Sequence, residues 1–167
     1  MSTRPRLTLI AAVSEDGFIS RGQGVPWDLP RDRGHFRAAT AGKWLLLGRR
    51  TYDEMLGWFR DHTPLVLTRD PTFVPSIGKA LQSVQQALDL ATTAKVDEIY
   101  VCGGSAAYQL ALPHADHLLV THVSTHLGSG VAFPKIEMPP WRLVSSIEHP
   151  ADAENALSMR FAKYQRA

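Results

Sequence analysis

The sequence predicts an α/β fold of three layers, in which a mostly parallel central sheet carries helices on both faces and ends in an antiparallel edge near the C-terminus. Three observations support this prediction. Short apolar runs bounded by turn residues alternate with stretches of helical periodicity. These runs are almost continuously apolar, as is typical of strands covered on both faces. The chain then closes with two extended segments separated by a polar stretch, which favours an antiparallel pair.

The parallel part of the predicted sheet consists of five apolar runs, which cover residues 7–13, 44–47, 65–68, 98–102 and 118–123. Helical periodicity in the intervening stretches predicts helices over residues 31–40, 51–58, 84–93 and 105–112. Pro30 suits the first turn of the first helix, while Thr51 and Ser105 suit the starts of the second and the fourth. The antiparallel edge is predicted over residues 141–149 and 157–165.

Length and composition bound the class of protein. The chain has 167 residues, of which 44% are hydrophobic and 20% charged, so we expect a single globular domain over residues 1–167. Its formal charge of +2 and its scattered arginines argue against nucleic acid as a main partner, while leaving room for a small polyanion. The apolar run 7–13 is only about half of a spanning helix, so no membrane partner is expected. A single cysteine, Cys102, excludes an internal disulfide and favours a reducing, cytoplasmic location, and no Cys/His cluster has metal-ligand spacing.

The stretch GVPWDLPRD, residues 24–32, places an acid beside apolar side chains. Asp32 falls in the first turn of the predicted helix, and Phe36 lies on the same face four residues later. One interpretation is that Asp32 only complements the helix dipole. The other is that apolar neighbours desolvate the carboxylate, raise its pKa and make it a binder of paired N–H groups; these neighbours are Val25, Pro26, Trp27 and Leu29. Asp28 has no comparable apolar surroundings, and we expect it to be a solvated loop acid.

Basic residues follow two of the predicted strands. The stretch LLLGRRTY ends a strand at Gly48 and continues with Arg49, Arg50 and Thr51. Cations at a helix start are unfavourable for its dipole unless an anion binds there, which indicates phosphate, although solvated arginines remain the alternative. Thr68 and Arg69 repeat the pattern after the next strand, and two basic strand ends side by side would suit a nucleotide with an extra phosphate.

The stretch IYVCGGSAAY runs from a strand through Gly103 and Gly104 to a helix that begins at Ser105. Backbone N–H groups in such a turn can approach a pyrophosphate closely, although a glycine pair is also common in an ordinary tight turn. Cys102 is best interpreted as a small buried residue, because no base for a nucleophilic thiol is evident nearby. The seven histidines are dispersed, and none stands out as a general base.

Taken in order, these stretches resemble the dihydrofolate reductase family. The resemblance covers most of the chain and is most specific in PWDLPRDRGHF, TAGK and GRRTY, between residues 26 and 54. It implies the three-layer fold of that family. It also implies NADPH-dependent reduction of 7,8-dihydrofolate to 5,6,7,8-tetrahydrofolate, by hydride transfer to C6 with protonation of N5, within one-carbon metabolism.

The resemblance also implies roles for individual residues. Asp32 would hold the 2-amino group and N3 of the pterin, with Thr121 assisting through water and Trp27 ordering water nearby, so that Asp32 and Trp27 form the catalytic pair. The implied substrate site consists of Ile10, Ala11, Asp32, Arg33, Phe36, Cys102 and Thr121. The implied NADPH site consists of Ala12, Ile19, Gly48, Arg49, Arg50, Thr51, Thr68, Arg69, Gly103, Gly104, Ser105, Ala106 and Tyr108. Residues 16–24 match the mobile loop that closes over the nicotinamide.

One position departs from the family pattern. His62 stands where the family usually has the arginine that pairs with the glutamate carboxylate of folate, and a histidine cannot form a bidentate clamp. Arg33, Arg37 or Arg60 would have to reach that carboxylate instead. Dihydrofolate therefore has alternatives as substrate, namely a dihydropterin with a different tail or a ribosylaminopyrimidine of riboflavin synthesis. A non-catalytic nucleotide-binding module is a third reading, and the sequence leaves open whether the chain is a monomer or a homodimer.

Overall fold

The computed structural model describes residues 4–22 and 24–167. Along the chain the elements are β1 (Arg6–Ser14), β2 (Phe18–Ser20), α1 (Pro30–Thr40), β3 (Trp44–Gly48), α2 (Arg49–Met55), β4 (Thr63–Leu67), β5 (Lys79–Leu81), α3 (Val84–Thr93), β6 (Glu98–Gly103), α4 (Ser105–Ala111), a 3₁₀ turn (Leu112–His114), β7 (His117–Val123), β8 (Val131–Ala132), β9 (Trp141–His149) and β10 (Met159–Arg166).

Eight strands form one sheet in the order β5-β4-β3-β6-β1-β7-β10-β9. The first six strands in this order, from β5 through β7, run parallel to one another. Strand β10 is antiparallel to both β7 and β9. Strand β1 lies near the centre of the sheet, where Leu7 and Leu9 are completely buried. The predicted α/β class, with its mostly parallel sheet and antiparallel C-terminal edge, is confirmed.

Two apolar clusters cover the two faces of the sheet. On one face, α3 and α4 pack through residues such as Leu88 and Ala107. On the other face, α1 and α2 pack through Phe36 and Tyr52 against Ile10 and further strand residues. The parallel strands run to the same edge of the sheet, so the segments that follow them lie together there.

The second helix begins earlier than the sequence predicted. Its N-cap is Gly48, in extended conformation, and Arg49 is the first helical residue, so the prediction of Thr51 as the helix start was wrong. The chain turns out of β3 directly into α2, which leaves Thr51 inside the first turn. The helix also ends at Met55 instead of residue 58.

Three strands of two or three residues were not predicted, namely β2, β5 and β8. Strands β2 and β8 pair only with each other in a second, two-stranded sheet. Strand β4 begins and ends one or two residues earlier than expected, so Thr68 follows the strand instead of ending it.

Candidate active site

A cavity of about 700 Å³ opens at the carboxyl ends of the central strands. Its walls come from β1, α1, α2, the start of α4 and the segment between β1 and α1. This is where ligands bind in open α/β sheets, and the volume is in the usual range for ligand pockets.

The cavity brings together the predicted site residues, with the exception of Thr68 and Arg69. The predicted residues that line it are Ile10, Ala11, Ala12, Ile19, Trp27, Asp32, Arg33, Phe36, Gly48, Arg49, Arg50, Thr51, Cys102, Gly103, Gly104, Ser105, Ala106, Tyr108 and Thr121. Sequence reasoning had assigned no site role to several others, namely His35, Glu54, Met55, Trp58, Leu67, Ala107 and Val131. Helical spacing could have found some of them, since Met55 follows Thr51 by four residues and His35 follows Asp32 by three.

Asp32 lies in the first turn of α1 with its carboxylate facing the cavity. The Thr121 hydroxyl on β7 donates a hydrogen bond of 2.7 Å to Asp32 Oδ1, across 89 positions of sequence. Burial raises the pKa of Asp32 above its ordinary value of 3.8, because it disfavours the charged form, while the Thr121 hydrogen bond and the neighbouring His35 and Arg33 oppose that rise. The site therefore holds a partly desolvated acid with one fixed hydrogen-bond donor.

Apolar and aromatic side chains form the walls around this acid. Ile10 is buried, and its carbonyl accepts a hydrogen bond of 2.7 Å from the Tyr108 hydroxyl. The Phe36 ring packs against Trp58 with 5.2 Å between ring centroids. Trp27 packs in a cluster with Leu29 and others, and its indole Nε1 is buried without a hydrogen-bond partner among the described residues.

Glycines keep the floor of the cavity open where β3 and β6 end. A Cβ atom on Gly48 would lie 3.8 Å from the backbone nitrogen of Gly104 on the neighbouring strand end. Gly103 has a φ of +122°, and a Cβ atom there would meet the hydroxyls of Thr51 and Tyr108 at 3.5 Å. At these distances a Cβ atom would make only ordinary van der Waals contacts, so the φ of Gly103 is what favours glycine there, and the missing side chains leave the backbone open to a ligand.

The thiol of Cys102 faces this floor in a desolvated environment, and burial raises its pKa far above the ordinary value. A thiol in that state is a poor nucleophile, although Cys102 as a whole is half-buried and not fully buried as predicted.

Cations lie beside the cavity at the start of α2. The Arg49 guanidinium carbon is 3.7 Å from the centroid of the Phe73 ring, a cation–π arrangement. Arg50 donates a hydrogen bond of 2.6 Å to the carbonyl of Gly22 and so ties α2 to the segment after β2. Thr68 and Arg69 follow the neighbouring strand β4; the Thr68 hydroxyl accepts a hydrogen bond from the Asp70 backbone, and Arg69 is exposed to solvent.

Asp16 anchors the segment between β1 and β2. Its carboxylate accepts hydrogen bonds from the Ser14 hydroxyl at 2.6 Å and from the backbone N–H groups of Leu127 at 3.0 Å and Gly128 at 2.7 Å. These hydrogen bonds, that from Ser14 first, lower the pKa of Asp16 to about 2. The start of the predicted loop of residues 16–24 is thus held against residues 127–128; residue 23 lies outside the described part of the chain.

His62 is part of an aromatic stack behind the cavity wall. Its side chain is 1% exposed, and its ring lies on Trp58 with 4.6 Å between centroids. Nδ1 accepts a hydrogen bond of 3.1 Å from the backbone of Arg60, whereas Nε2 is buried with no partner among the described residues. Burial lowers the pKa of His62, so the ring is neutral at neutral pH. The guanidinium carbon of Arg37 lies 4.2 Å from the centroid of the same Trp58 ring.

Within residues 4–22 and 24–167, no group of three or more His, Cys, Asp or Glu side chains could hold a metal ion. Over the same residues, no helix combines the length and apolar character needed to cross a membrane.

Comparisons with known proteins agree with this geometry. Residues 6–166 match the family model described as dihydrofolate reductase. The chain is 31% identical over 160 residues to dihydrofolate reductase type 3 of Salmonella typhimurium, covering 96% of this chain and 98% of that one. It is 35% identical over 139 residues to dihydrofolate reductase of Mycobacterium tuberculosis, covering 80% and 83%.

Among solved structures, the chain is similar to dihydrofolate reductase from Enterococcus faecalis complexed with NADP(H) and RAB-propyl. The TM-score is 0.87 at 28% identity, and the match covers 96% of each chain. A match that spans nearly the whole chain in family model, relatives and structure leads to one assignment: the chain belongs to the dihydrofolate reductase family.

Proposed function

We propose that this chain reduces 7,8-dihydrofolate to 5,6,7,8-tetrahydrofolate with NADPH. The observation that carries the proposal is the half-buried Asp32 carboxylate, hydrogen-bonded to Thr121 and facing a cavity with apolar walls. Membership of the dihydrofolate reductase family and the similarity to a relative described as a complex with NADP(H) support it.

Asp32 is proposed to bind the pterin through paired N–H groups. An ionised carboxylate has about four acceptor sites, and the Thr121 hydroxyl uses one of them. The remaining sites suit the 2-amino group and N3, while Ile10, Ala11 and Phe36 would pack against the flat ring. The buried Nε1 of Trp27 would donate to a water or ligand oxygen, because a buried donor without a partner is costly.

The lining residues also fit NADPH. When bound, NADPH supplies the hydride that is added at C6 of the substrate. Gly48, Gly103 and Gly104 leave the floor open for close backbone approach, and Ser105 and Ala106 begin a helix there. The Arg49 and Arg50 cations, with Thr51, are proposed to hold phosphate.

The remaining cofactor contacts follow the order of the cavity. Thr68 and Arg69 are proposed to reach the 2′-phosphate beside Arg49, because β3 and β4 are adjacent in the sheet. Ala12, Ile19 and Tyr108 would flank the nicotinamide.

The chain's own contribution to the reaction is alignment and a preorganised field. Asp32 would hold the pterin in one orientation, and its negative charge would stabilise the positive charge that protonation of N5 from solvent creates. The segment held by Asp16 would exclude bulk water, which strengthens these polar contacts.

The test is NADPH oxidation by the purified protein on addition of dihydrofolate. Asp32→Asn is expected to lower kcat by about 10²–10³-fold, because it removes the charge while preserving the shape, and to leave NADPH affinity nearly unchanged. Asp89→Asn is the control, since this carboxylate lies on α3, which packs on the opposite face of the sheet from α1. Equal activity of Asp32→Asn and the wild type would remove Asp32 from its proposed role.

A dihydropterin with a different tail is the second candidate substrate. The observation that favours it is His62, which is neutral, buried against Trp58 and unable to clamp a carboxylate bidentately. Similar KM values for dihydrofolate and for a dihydropterin without glutamate would support this candidate. A much lower KM for dihydrofolate would instead indicate that Arg33, Arg37 or Arg60 binds the tail.

The other readings have distinct outcomes in the same assays. Turnover of a ribosylaminopyrimidine would indicate the riboflavin pathway, and binding of NADPH with no turnover of any substrate would indicate a binding module.

We further propose that residues 1–167 act as one domain in the cytoplasm. Light scattering decides between monomer and homodimer.

A further inference from the structure

A histidine lies next to the acid on the same face of α1. His35 follows Asp32 by three residues and also lines the cavity. Its half-buried imidazole lies flat on the ring of Phe161, with 4.0 Å between centroids and 9° between planes. Such parallel contact at van der Waals distance restricts the rotation of both rings.

The strands beneath α1 connect this stack to the acid. In the antiparallel pairing of β7 with β10, Phe161 is the direct partner of Thr121. Thr121 donates to Asp32, and Phe161 supports His35, so two adjacent residues of the sheet contact two residues one turn apart on the helix. These two contacts together fix the position and the rotation of the first turns of α1 over the sheet.

The charges around His35 come from few groups. Asp32 is on the same helix face, Arg33 is its neighbour, and His149 on β9 contacts the Phe161 ring with 4.8 Å between centroids. The adjoining Phe161 and Thr121 carry no charge. Burial lowers the pKa of His35, the nearby Asp32 raises it and His149 lowers it. Burial raises the pKa of Asp32, so the two groups titrate closer together than they would in water.

We propose that His35 is a positioning residue for the reaction: its ring, stacked on Phe161, fixes the helix turn that carries Asp32, and in acid its charged form also stabilises the Asp32 carboxylate. This inference rests on the proposed role of Asp32. It assigns to His35 no contact with the reacting atoms, only an effect through the neighbouring carboxylate.

The packing half of the proposal is tested with two substitutions. His35→Ala removes the ring, whereas His35→Phe keeps a flat ring on Phe161. With dihydrofolate and NADPH at neutral pH, His35→Phe is expected to have a kcat about tenfold higher than His35→Ala, because misplacing a binding group by about 1 Å is costly. Equal kcat values for the two variants would overturn the positioning role.

The charge half is tested by nuclear magnetic resonance, without turnover. The Asp32 carboxyl signal is followed with pH in protein carrying ¹³C-labelled aspartate, and the histidine ring signals are followed in parallel; Asp32→Asn and His35→Phe assign the two residues. The Asp32 titration is expected to move to higher pH in His35→Phe, and the His35 titration to lower pH in Asp32→Asn, because an interaction between two sites is reciprocal. His117→Phe is the control, since His117 begins β7 at the opposite end from the site.

An Asp32 titration that is the same in wild type and His35→Phe would overturn the proposal, and this measurement carries the test if His35→Ala does not fold. Failure of the proposed function has a different signature. Full activity of Asp32→Asn would overturn the role of Asp32, whereas an inactive Asp32→Asn with unchanged titrations would overturn only the role of His35.

Discussion

The hydrogen bond between Thr121 and Asp32 provides a direct test of how the acid is held. Thr121 is 2% exposed, so Thr121→Val fills the same space while removing the 2.7 Å donor. Hydrogen bonds to charged groups contribute about 1.5–3 kcal/mol, and we expect the free energy of unfolding to fall by about that amount at neutral pH. The loss arises because a partly buried carboxylate would keep its charge with one donor fewer.

The pH dependence of this loss has a definite sign. The Thr121 bond opposes the rise in the pKa of Asp32, so its removal raises that pKa further. At pH values above the pKa of Asp32, Thr121→Val shows the full loss in free energy of unfolding. As the pH falls through the pKa of Asp32, the carboxyl becomes neutral and depends less on the donor. The difference in free energy of unfolding between Thr121→Val and the wild type therefore shrinks.

Urea unfolding at a series of pH values measures this effect. Thr40→Val is the matched control, because Thr40 is completely buried on the same helix and donates 2.8 Å to the neutral carbonyl of Phe36. That variant is expected to lose about 0.5–1.5 kcal/mol at every pH. If the deficits of the two variants changed with pH in parallel, the charge on Asp32 would not be what Thr121 stabilises.

Three further predictions concern stability and cofactor choice. Asp32→Asn is expected to increase the free energy of unfolding by about 0.5–2 kcal/mol at neutral pH, because the raised pKa of Asp32 means that its charge destabilises the fold. That gain should vanish as the pH falls below 3.8, the ordinary value that holds in the unfolded chain, and a less stable variant at neutral pH in urea would contradict it. Gly78→Ala is expected to lose about 3 kcal/mol or more by thermal unfolding, since its Cβ would lie 1.9 Å from the carbonyl oxygen of Pro64 at a φ of +82°, whereas Gly57→Ala, with no atom within 4 Å, is the tolerated control. Arg49→Gln is expected to weaken NADPH binding about tenfold more than NADH binding in fluorescence titrations, and equal weakening of both would place the 2′-phosphate elsewhere.

The long elements could be predicted from the sequence because their own residues carry the signal. The apolar run of β1 and the periodicity of α3 match the structure to within a residue or two. Strands β2, β5 and β8 could not be predicted, since two or three residues are too few for alternation and their geometry comes from pairing partners. Thr51 was predicted as the helix start on its capping preference, but Gly48 occupies the N-cap position and Thr51 lies within the first turn.

The candidate site could likewise be predicted only in part. Asp32 stood out because its apolar neighbours are adjacent in sequence, whereas its partner Thr121 lies 89 positions away and entered only through the family resemblance. Helical spacing from Asp32 indicates the face on which His35 lies but not the ring that it contacts, and Trp58 lies beyond the end of α2, where no spacing applies. Their contacts with Phe161 and His62 depend on strands that the chain forms much later.

The anchor at Asp16 has a consequence for interpreting measurements in acid. A carboxylate whose pKa is about 2 stays ionised at every pH that an enzyme assay normally covers. The fastening of the β1–β2 segment to Leu127 and Gly128 therefore keeps constant strength as the buffer is acidified. An inflection in a pH–rate profile over that range therefore does not come from titration of Asp16.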